Sequence, residues 1–206
     1  MEVQFFGANC VRISSKKASI VVDDNMEKLG LKPVVKDDDI ALYTLANHAN
    51  SNARFIIDGP GEYEISEVSI LGIPAQSHID SSGKNSTIYS VRIDGFSVGI
   101  LGHIDANLSD EQLEALGLID VLFIPVGGSG YTLDAIDAAK LVKKIEPKVV
   151  IPTHYADSAI TFEVPQNEIK LFLDTMGVSG VEEKDKIKFK ISELGEKTET
   201  VVLKRS

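Results

Sequence analysis

The stretch from residue 98 to residue 155, VGILGHIDANLSDEQLEALGLIDVLFIPVGGSGYTLDAIDAAKLVKKIEPKVVIPTHY, constrains the fold of this chain more than any other. Its segments VGIL (98–101), DVLFIPV (120–126) and KVVIP (148–152) are short, uninterrupted apolar runs, the pattern of strands buried on both faces. Between the last two lies LDAIDAAKLVKKI, apolar at 133, 136, 138, 139, 142 and 145, which is a helical period. A strand–helix–strand unit of this length allows parallel pairing. Loops leaving the carboxyl ends of parallel strands gather at one rim of the sheet, where α/β folds place their sites. His103 and His154 each follow such a strand, so both are predicted on that rim. Two imidazoles at neighbouring loop ends of one sheet suggest a metal.

The flanking sequence is mostly β. VQFFG (3–7), CVRIS (10–14) and ASIVVDD (18–24) are rich in β-branched and aromatic residues, with Gly7–Asn9 and Ser15–Lys17 between them, which predicts an antiparallel meander. Residues 25–39 read as a surface loop, IALYT (40–44) as a buried strand, and LANHANSN (45–52) as a polar connection. RFIID, GPGEYEI and VSILGI continue the β pattern to residue 73, with Pro60 and Gly61 turning between the first two. The loop 74–86 carries His78, and Asp94–Gly95 is a hairpin signal between STIYSVRI and FSVGILG. Ser109 and Gln112 form a capping-box pattern for the helix LSDEQLEALG. Pro165 is expected to open a further helix, PQNEIKLFLDTMG, closed by Gly177, and KIKFKIS and ETVVLK predict two final strands. A run of strands, then αβαβα, then strands describes an α+β chain, a layered αββα arrangement, in one domain over residues 1–206.

Charge and composition narrow the function. The chain carries a net charge of −10 and no Lys/Arg-rich face, which argues against nucleic-acid and anionic-membrane partners. No apolar run approaches the roughly 20 residues of a membrane span. The opening MEVQFFGANC begins at once with a strand and lacks the basic start of a signal peptide. A single cysteine suits a reducing compartment, so a cytoplasmic location is expected.

PGEYE (60–64), LGHIDANLSDEQLEALGLIDVLFIPVGG (101–128), YTLDAIDAAKLV (131–142) and EPKVVIPTHY (146–155) resemble the metallo-β-lactamase superfamily, in its small branch of Zn-dependent hydrolases. The opening VQFFGANCVRIS…IVVDD also looks like that branch's start. The resemblance implies a four-layer αββα sandwich with a metal site at one edge, between two sheets. It also implies a tendency to form homo-oligomers. The family's signature is His-x-His-x-Asp-His after a buried strand. Aligned on Leu42-Tyr43-Thr44, the matching positions here are Leu45, Asn47, Ala49 and Asn50, which are not the usual donors for a transition metal. Sliding the register by one brings His48 near the second His. The family's next ligand corresponds to His78, its bridging Asp is replaced by His103, and its last His is His154.

Two readings of the histidines follow. In one, His78, His103 and His154 hold a single Zn²⁺ with water as fourth ligand, its pKa lowered to about 7. In the other, no metal is bound and the rings hydrogen-bond to loop groups. Without the bridging Asp a two-metal hydrolase is not expected. Asn47, Asn50, Glu62 and Tyr155 are expected to line the cleft, although Glu62 also suits a turn-capping role. Asp105 reads as a solvated loop residue rather than a partner of His103, and Cys10 as a buried, inert thiol. Gly127-Gly128-Ser129-Gly130 lacks the Lys-Ser/Thr of a P-loop, and no G-x-S-x-G elbow occurs. The expected function is a metallo-β-lactamase-fold protein, catalytically inactive or altered, that acts through protein contacts or by binding a small molecule in the old cleft. The alternative is a mononuclear metal-dependent hydrolase.

Overall fold

The computed structural model describes residues 1–46, 51–77 and 85–206. One mixed sheet contains β1 (Glu2–Gly7), β2 (Cys10–Ser14), β3 (Ser19–Val22), β4 (Ile40–Leu42), β5 (Phe55–Ile57) and β12 (Ile187–Lys188), in the order β12-β1-β2-β3-β4-β5. The other contains β6 (Gly61–Ile65), β7 (Val68–Gln76), β8 (Asn85–Ile93), β9 (Phe96–Ile100), β10 (Val121–Pro125), β11 (Val149–Thr153) and β13 (Glu199–Thr200). Its order is β13-β11-β10-β9-β8-β7-β6. The alternation of β1 turns Val3 and Phe5 inward, where they join Val11, Ile13, Ile20 and Leu42 against Ile70, Val91, Val98, Phe123 and Ile151 of the second sheet. This shared apolar layer makes the molecule a sandwich. Tyr89 is buried within it, and its hydroxyl donates across to the Tyr43 carbonyl at 2.9 Å.

β9, β10 and β11 run parallel, and every residue of β10 and β11 is buried. The face of the second sheet away from the sandwich is covered by helices. These are α1 (Asp110–Leu116), α2 (Ala135–Ile145) and α3 (Ile169–Met176), whose Leu116, Leu141, Val142 and Phe172 pack over Leu122, Ile124 and Val150. Local chemistry sets their starts. Ser109 and Gln112 complete a reciprocal capping box on α1, and the Asp134 carboxylate accepts from two backbone N–H groups at the start of α2. Asp94 and Gly95 take φ of 51° and 78° in the β8–β9 turn, as the hairpin signal requires.

Several expectations are corrected. α3 begins at Ile169, not at Pro165. Ala156 N donates to Asn167 O at 2.9 Å and Asn167 N to Gly127 O at 2.8 Å, which holds this stretch extended against a neighbouring loop. The Pro60–Gly61 turn lies between β5 and β6, as expected. β5 pairs with β4 in the first sheet and β6 with β7 in the second, so the turn carries the chain between sheets. KIKFKIS keeps only Ile187–Lys188 as strand before a 3₁₀ turn at Ile191–Glu193, and β13 adds in parallel to β11. Among the described residues, the outer face of the first sheet is covered by the 3₁₀ turn Met26–Leu29 and by Leu31, Val34, Val35, Ile160 and Phe162 from loops. None of the described helices is long and apolar enough to cross a membrane.

Candidate functional site

Loops from four parts of the chain meet beyond the carboxyl ends of β9, β10 and β11. His103 follows β9 through Gly102, whose φ is +57° and where a Cβ would stand 2.3 Å from Thr44. Only glycine lets this loop close on the exit of β4. Thr44 is itself fixed by Asp23, whose carboxylate accepts from the Thr44 N–H and hydroxyl, each at 2.7 Å. His154 follows β11 with φ of 52°, and its N–H donates to Ala8 O at 2.7 Å in the β1–β2 turn. That turn also delivers Asn9. Gly127, after β10, approaches so closely that a Cβ would lie 2.0 Å from the His154 carbonyl and 2.3 Å from Gln166 Oε1.

These residues form one oriented series of hydrogen bonds. Gln166 Nε2 donates to the Val164 carbonyl at 2.9 Å, and a carbonyl can only accept. Gln166 Oε1 therefore faces His154 Nδ1, 3.1 Å away, as an acceptor, and that nitrogen carries the hydrogen. A neutral His154 is then bare at Nε2, which lies 3.3 Å from His103 Nε2. His103 must supply the hydrogen there and is bare at Nδ1, where it accepts from Asn9 Nδ2 at 3.3 Å. Asn9 Oδ1 accepts in turn from the Thr153 hydroxyl at 2.9 Å. Every donor meets an acceptor with both rings neutral.

The surroundings favour that neutrality. His103 is 7% exposed and His154 3%. Burial lowers the pKa of His154 from its ordinary 6.5 to about 4. Burial, and then the proximity of His154, push His103 well below the usual range. Tyr131 packs edge-on to His103 with ring centres 5.4 Å apart, and Phe162 covers His154 at 5.0 Å.

The separation of the two Nε2 atoms does not by itself decide for or against a metal. Two imidazoles on one tetrahedral zinc would also place these atoms roughly 3.3 Å apart. Without a metal, one Nε2 carries a hydrogen and the other accepts it. Among the described residues, no group of three or more His, Cys, Asp or Glu gathers around a common point, and catalytic zinc takes three protein ligands. As arranged, the described residues do not fit a zinc site.

The other candidates fall in different places. His48, His78, Asn47 and Asn50 lie outside the described residues. Glu62 does not join the histidines. It is exposed on β6 at the sheet edge and shares a surface groove with Glu114 and Gly117 beside α1, because the strand alternation sends Tyr63 toward the core instead. Tyr155 is engaged with Phe5, ring centres 5.7 Å apart, and its hydroxyl donates to Leu203 O at 3.1 Å; its outer edge borders an open groove that Gln166 also lines. Asp105 accepts from Asn107 N at 2.8 Å within its own turn and does not orient His103. Cys10 is buried, and burial together with Asp24 and Asp23 pushes its thiol up. In the Gly-rich loop, Gly128 N donates to Leu133 O and Thr132 Oγ1 within its own turn, and the Ser129 hydroxyl bonds the Pro165 carbonyl. Sequence reasoning missed Asn9, Gln166, Tyr131 and Phe162 as site residues. Their only local signal is a polar or aromatic residue in a Gly- or Pro-marked loop.

Two packed mixed sheets, with helices over the second and a polar centre at one rim, define a metallo-β-lactamase-type sandwich. A family model described as beta-lactamase superfamily domain matches residues 2–154, and the chain belongs to that family. A UPF0173 metal-dependent hydrolase of Pyrococcus furiosus is 34% identical over 125 residues, covering 56% of this chain and 54% of that protein. The chain thus spans about half the length of the curated relatives it matches. A solved Thermotoga maritima protein of the metallo-β-lactamase superfamily shares the fold with a TM-score of 0.76 at 24% identity, covering 98% of both chains. Igni18, a metallo hydrolase of Ignicoccus hospitalis, does so with a TM-score of 0.67 at 19% identity, covering 92% of this chain and 99% of that one.

Proposed function

We propose that this chain is a metallo-β-lactamase-fold protein whose hydrolase centre has been altered and no longer runs two-metal hydrolysis. The observation that carries the reading is the direct His103–His154 hydrogen bond, locked at both ends by Asn9 and Gln166. In this arrangement the two Nε2 atoms serve one another. The sequence supports the same reading, since Leu45 and Ala49 offer no donor atoms where the family signature has ligands, and His103 stands where a bridging carboxylate is usual. Such a protein acts in the cytoplasm by binding a small molecule or a protein partner. Its acidic balance, a net charge of −10, disfavours nucleic acid.

A second reading, a one-metal hydrolase on His78, His103 and His154, draws support from the Nε2 separation and from relatives described as metal-dependent hydrolases. Elemental analysis of untagged protein equilibrated with Zn²⁺ and then desalted distinguishes the two. The altered-centre reading expects well under one Zn per chain. About one Zn per chain, abolished in both His103→Ala and His154→Ala, would overturn it in favour of the one-metal hydrolase.

A further inference from the structure

We infer that the outer face of the first sheet carries a separate binding site, a cavity of about 400 Å³ that takes a small organic anion with an apolar body, a medium-chain carboxylate. Strand alternation builds its floor. Val3 and Phe5 of β1 turn into the sandwich, so Gln4 and Phe6 turn out, and Arg12 stands opposite Gln4 in the register of β1 with β2. Leu31 and Val34, in the loop after the 3₁₀ turn, form one wall. That loop is fixed, because the Asp24 carboxylate accepts from the Val34 and Val35 N–H groups at 2.7 and 2.6 Å, and Arg12 Nη2 donates to the Val34 carbonyl at 2.7 Å. The other wall is the segment 205–206, which the Ser206 N–H ties to Phe5 O at 2.8 Å. The cavity shares no lining residue with the histidine pair, and its volume falls in the range of small-molecule sites.

Its charge runs against that of the whole chain. Acidic residues outnumber Lys and Arg by 31 to 21, yet the lining holds four cationic side chains, Arg12, Lys32, Lys36 and Arg205, and no Asp or Glu. Local pairing accounts for part of that charge. Arg12 bonds Asp39 at 2.7 Å and Arg205 Nε bonds Asp157 at 2.6 Å, both carboxylates standing outside the cavity. A guanidinium has five N–H donors, and among the described residues Arg205 spends one of them. Among the described residues neither Lys32 nor Lys36 has an ion-pair partner, and the Ser206 carboxylate pairs with none of the four cations. Asp37 and Asp38, next in sequence to Lys36, do not line the cavity. Beside these charges lies apolar surface, from the half-buried Phe6, Leu31 and Val34 and the buried Met26. A simple inorganic anion would leave that surface unused, and a neutral or cationic amphiphile would leave the cations unpaired. A carboxylate on an apolar body uses both.

The test is a titration of ¹⁵N-labelled protein with octanoate, read from the backbone amide resonances, with octylammonium, octanol and inorganic phosphate as parallel probes. Octanoate is expected to shift the Phe6, Leu31, Val34, Lys36 and Arg205 amides saturably, half-saturating at about 1 mM or below, with the His103 and His154 amides unmoved. Each parallel probe is expected to bind at least about 10-fold more weakly. Lys32→Glu combined with Lys36→Glu, a change of two exposed side chains, is expected to weaken octanoate about 10-fold. The absence of a saturable shift, or shifts centred on the histidine pair, would overturn the inference. So would equal binding of octanol or octylammonium, which would show an apolar cavity without anion preference, or equal binding of phosphate, which would show charge alone. Undiminished octanoate binding by the double variant would overturn it equally, and the comparison of probes on the wild type decides even where that variant does not fold. Zinc stoichiometry enters none of these outcomes, so the altered-centre reading stands or falls separately.

Discussion

Asp23 offers a direct test of the energetics under the site. It follows β3, is 4% exposed, and holds Thr44 through both carboxylate oxygens. Burial raises its pKa from an ordinary 3.8 to about 6, against the opposing effect of the two hydrogen bonds from Thr44. The folded state therefore binds this proton more tightly than the unfolded chain does. The associated stability is fully present below the unfolded value, falls as pH rises from about 4 to about 6, and is lost above that. A rise of that size corresponds to about 3 kcal/mol at neutral pH. Asp23→Asn removes the buried charge and preserves the geometry. Its Oδ1 accepts the Thr44 N–H, its Nδ2 donates to the Thr44 hydroxyl, and asparagine tolerates the φ of 45°. The variant is expected to gain up to about 3 kcal/mol at pH 7.5, with the gain shrinking toward zero at pH 4. Urea unfolding of both proteins at pH 4, 5, 6 and 7.5 measures the difference. A variant that is no more stable at pH 7.5, or whose gain is the same at pH 4, would refute the reasoning.

Three further outcomes are expected. Gly102→Ala places a Cβ 2.3 Å from Thr44 at φ of +57°, so unfolding experiments should show a loss of about 3 kcal/mol and disturbed His103 resonances. Asp39→Ala strands Arg12, whose side chain is 11% exposed and bonds Asp39 at 2.7 Å, with an expected cost of about 3 kcal/mol at pH 7. Burial tends to raise the Asp39 carboxyl, but Arg12, the Lys36 N–H and Ser19 outweigh it and hold the group low; the pair's contribution is thus present above pH 4 and fades as pH falls through the folded value, which pH-dependent unfolding of wild type and variant would show. Ser109→Ala removes half of the α1 capping box and should lower stability by about 1 kcal/mol in the same denaturant assay, with the site resonances unchanged.

Features completed by residues close together in the chain are legible in the amino-acid sequence. Uninterrupted apolar runs mark β10 and β11 because both faces of a central parallel strand are covered. The start of α1 and the β8–β9 turn are readable because a cap or a two-residue turn is completed by atoms a few residues apart. His103 and His154 can be assigned to one rim for a similar reason, since parallel strands deliver their following loops to the same edge. The start of α3 is not readable, because its expected first turn is replaced by bonds to Gly127 and Ala156, and the Pro60–Gly61 turn gives no local sign that its two strands belong to different sheets.

The chemistry of the histidine pair belongs wholly to the tertiary structure. Residue identity alone determined that two imidazoles would approach one another, and an imidazole suits a metal and a hydrogen bond equally well. The direction of the bond between the two rings follows from the Val164 carbonyl through Gln166, groups whose orientation toward His154 exists only once the loops have closed around them.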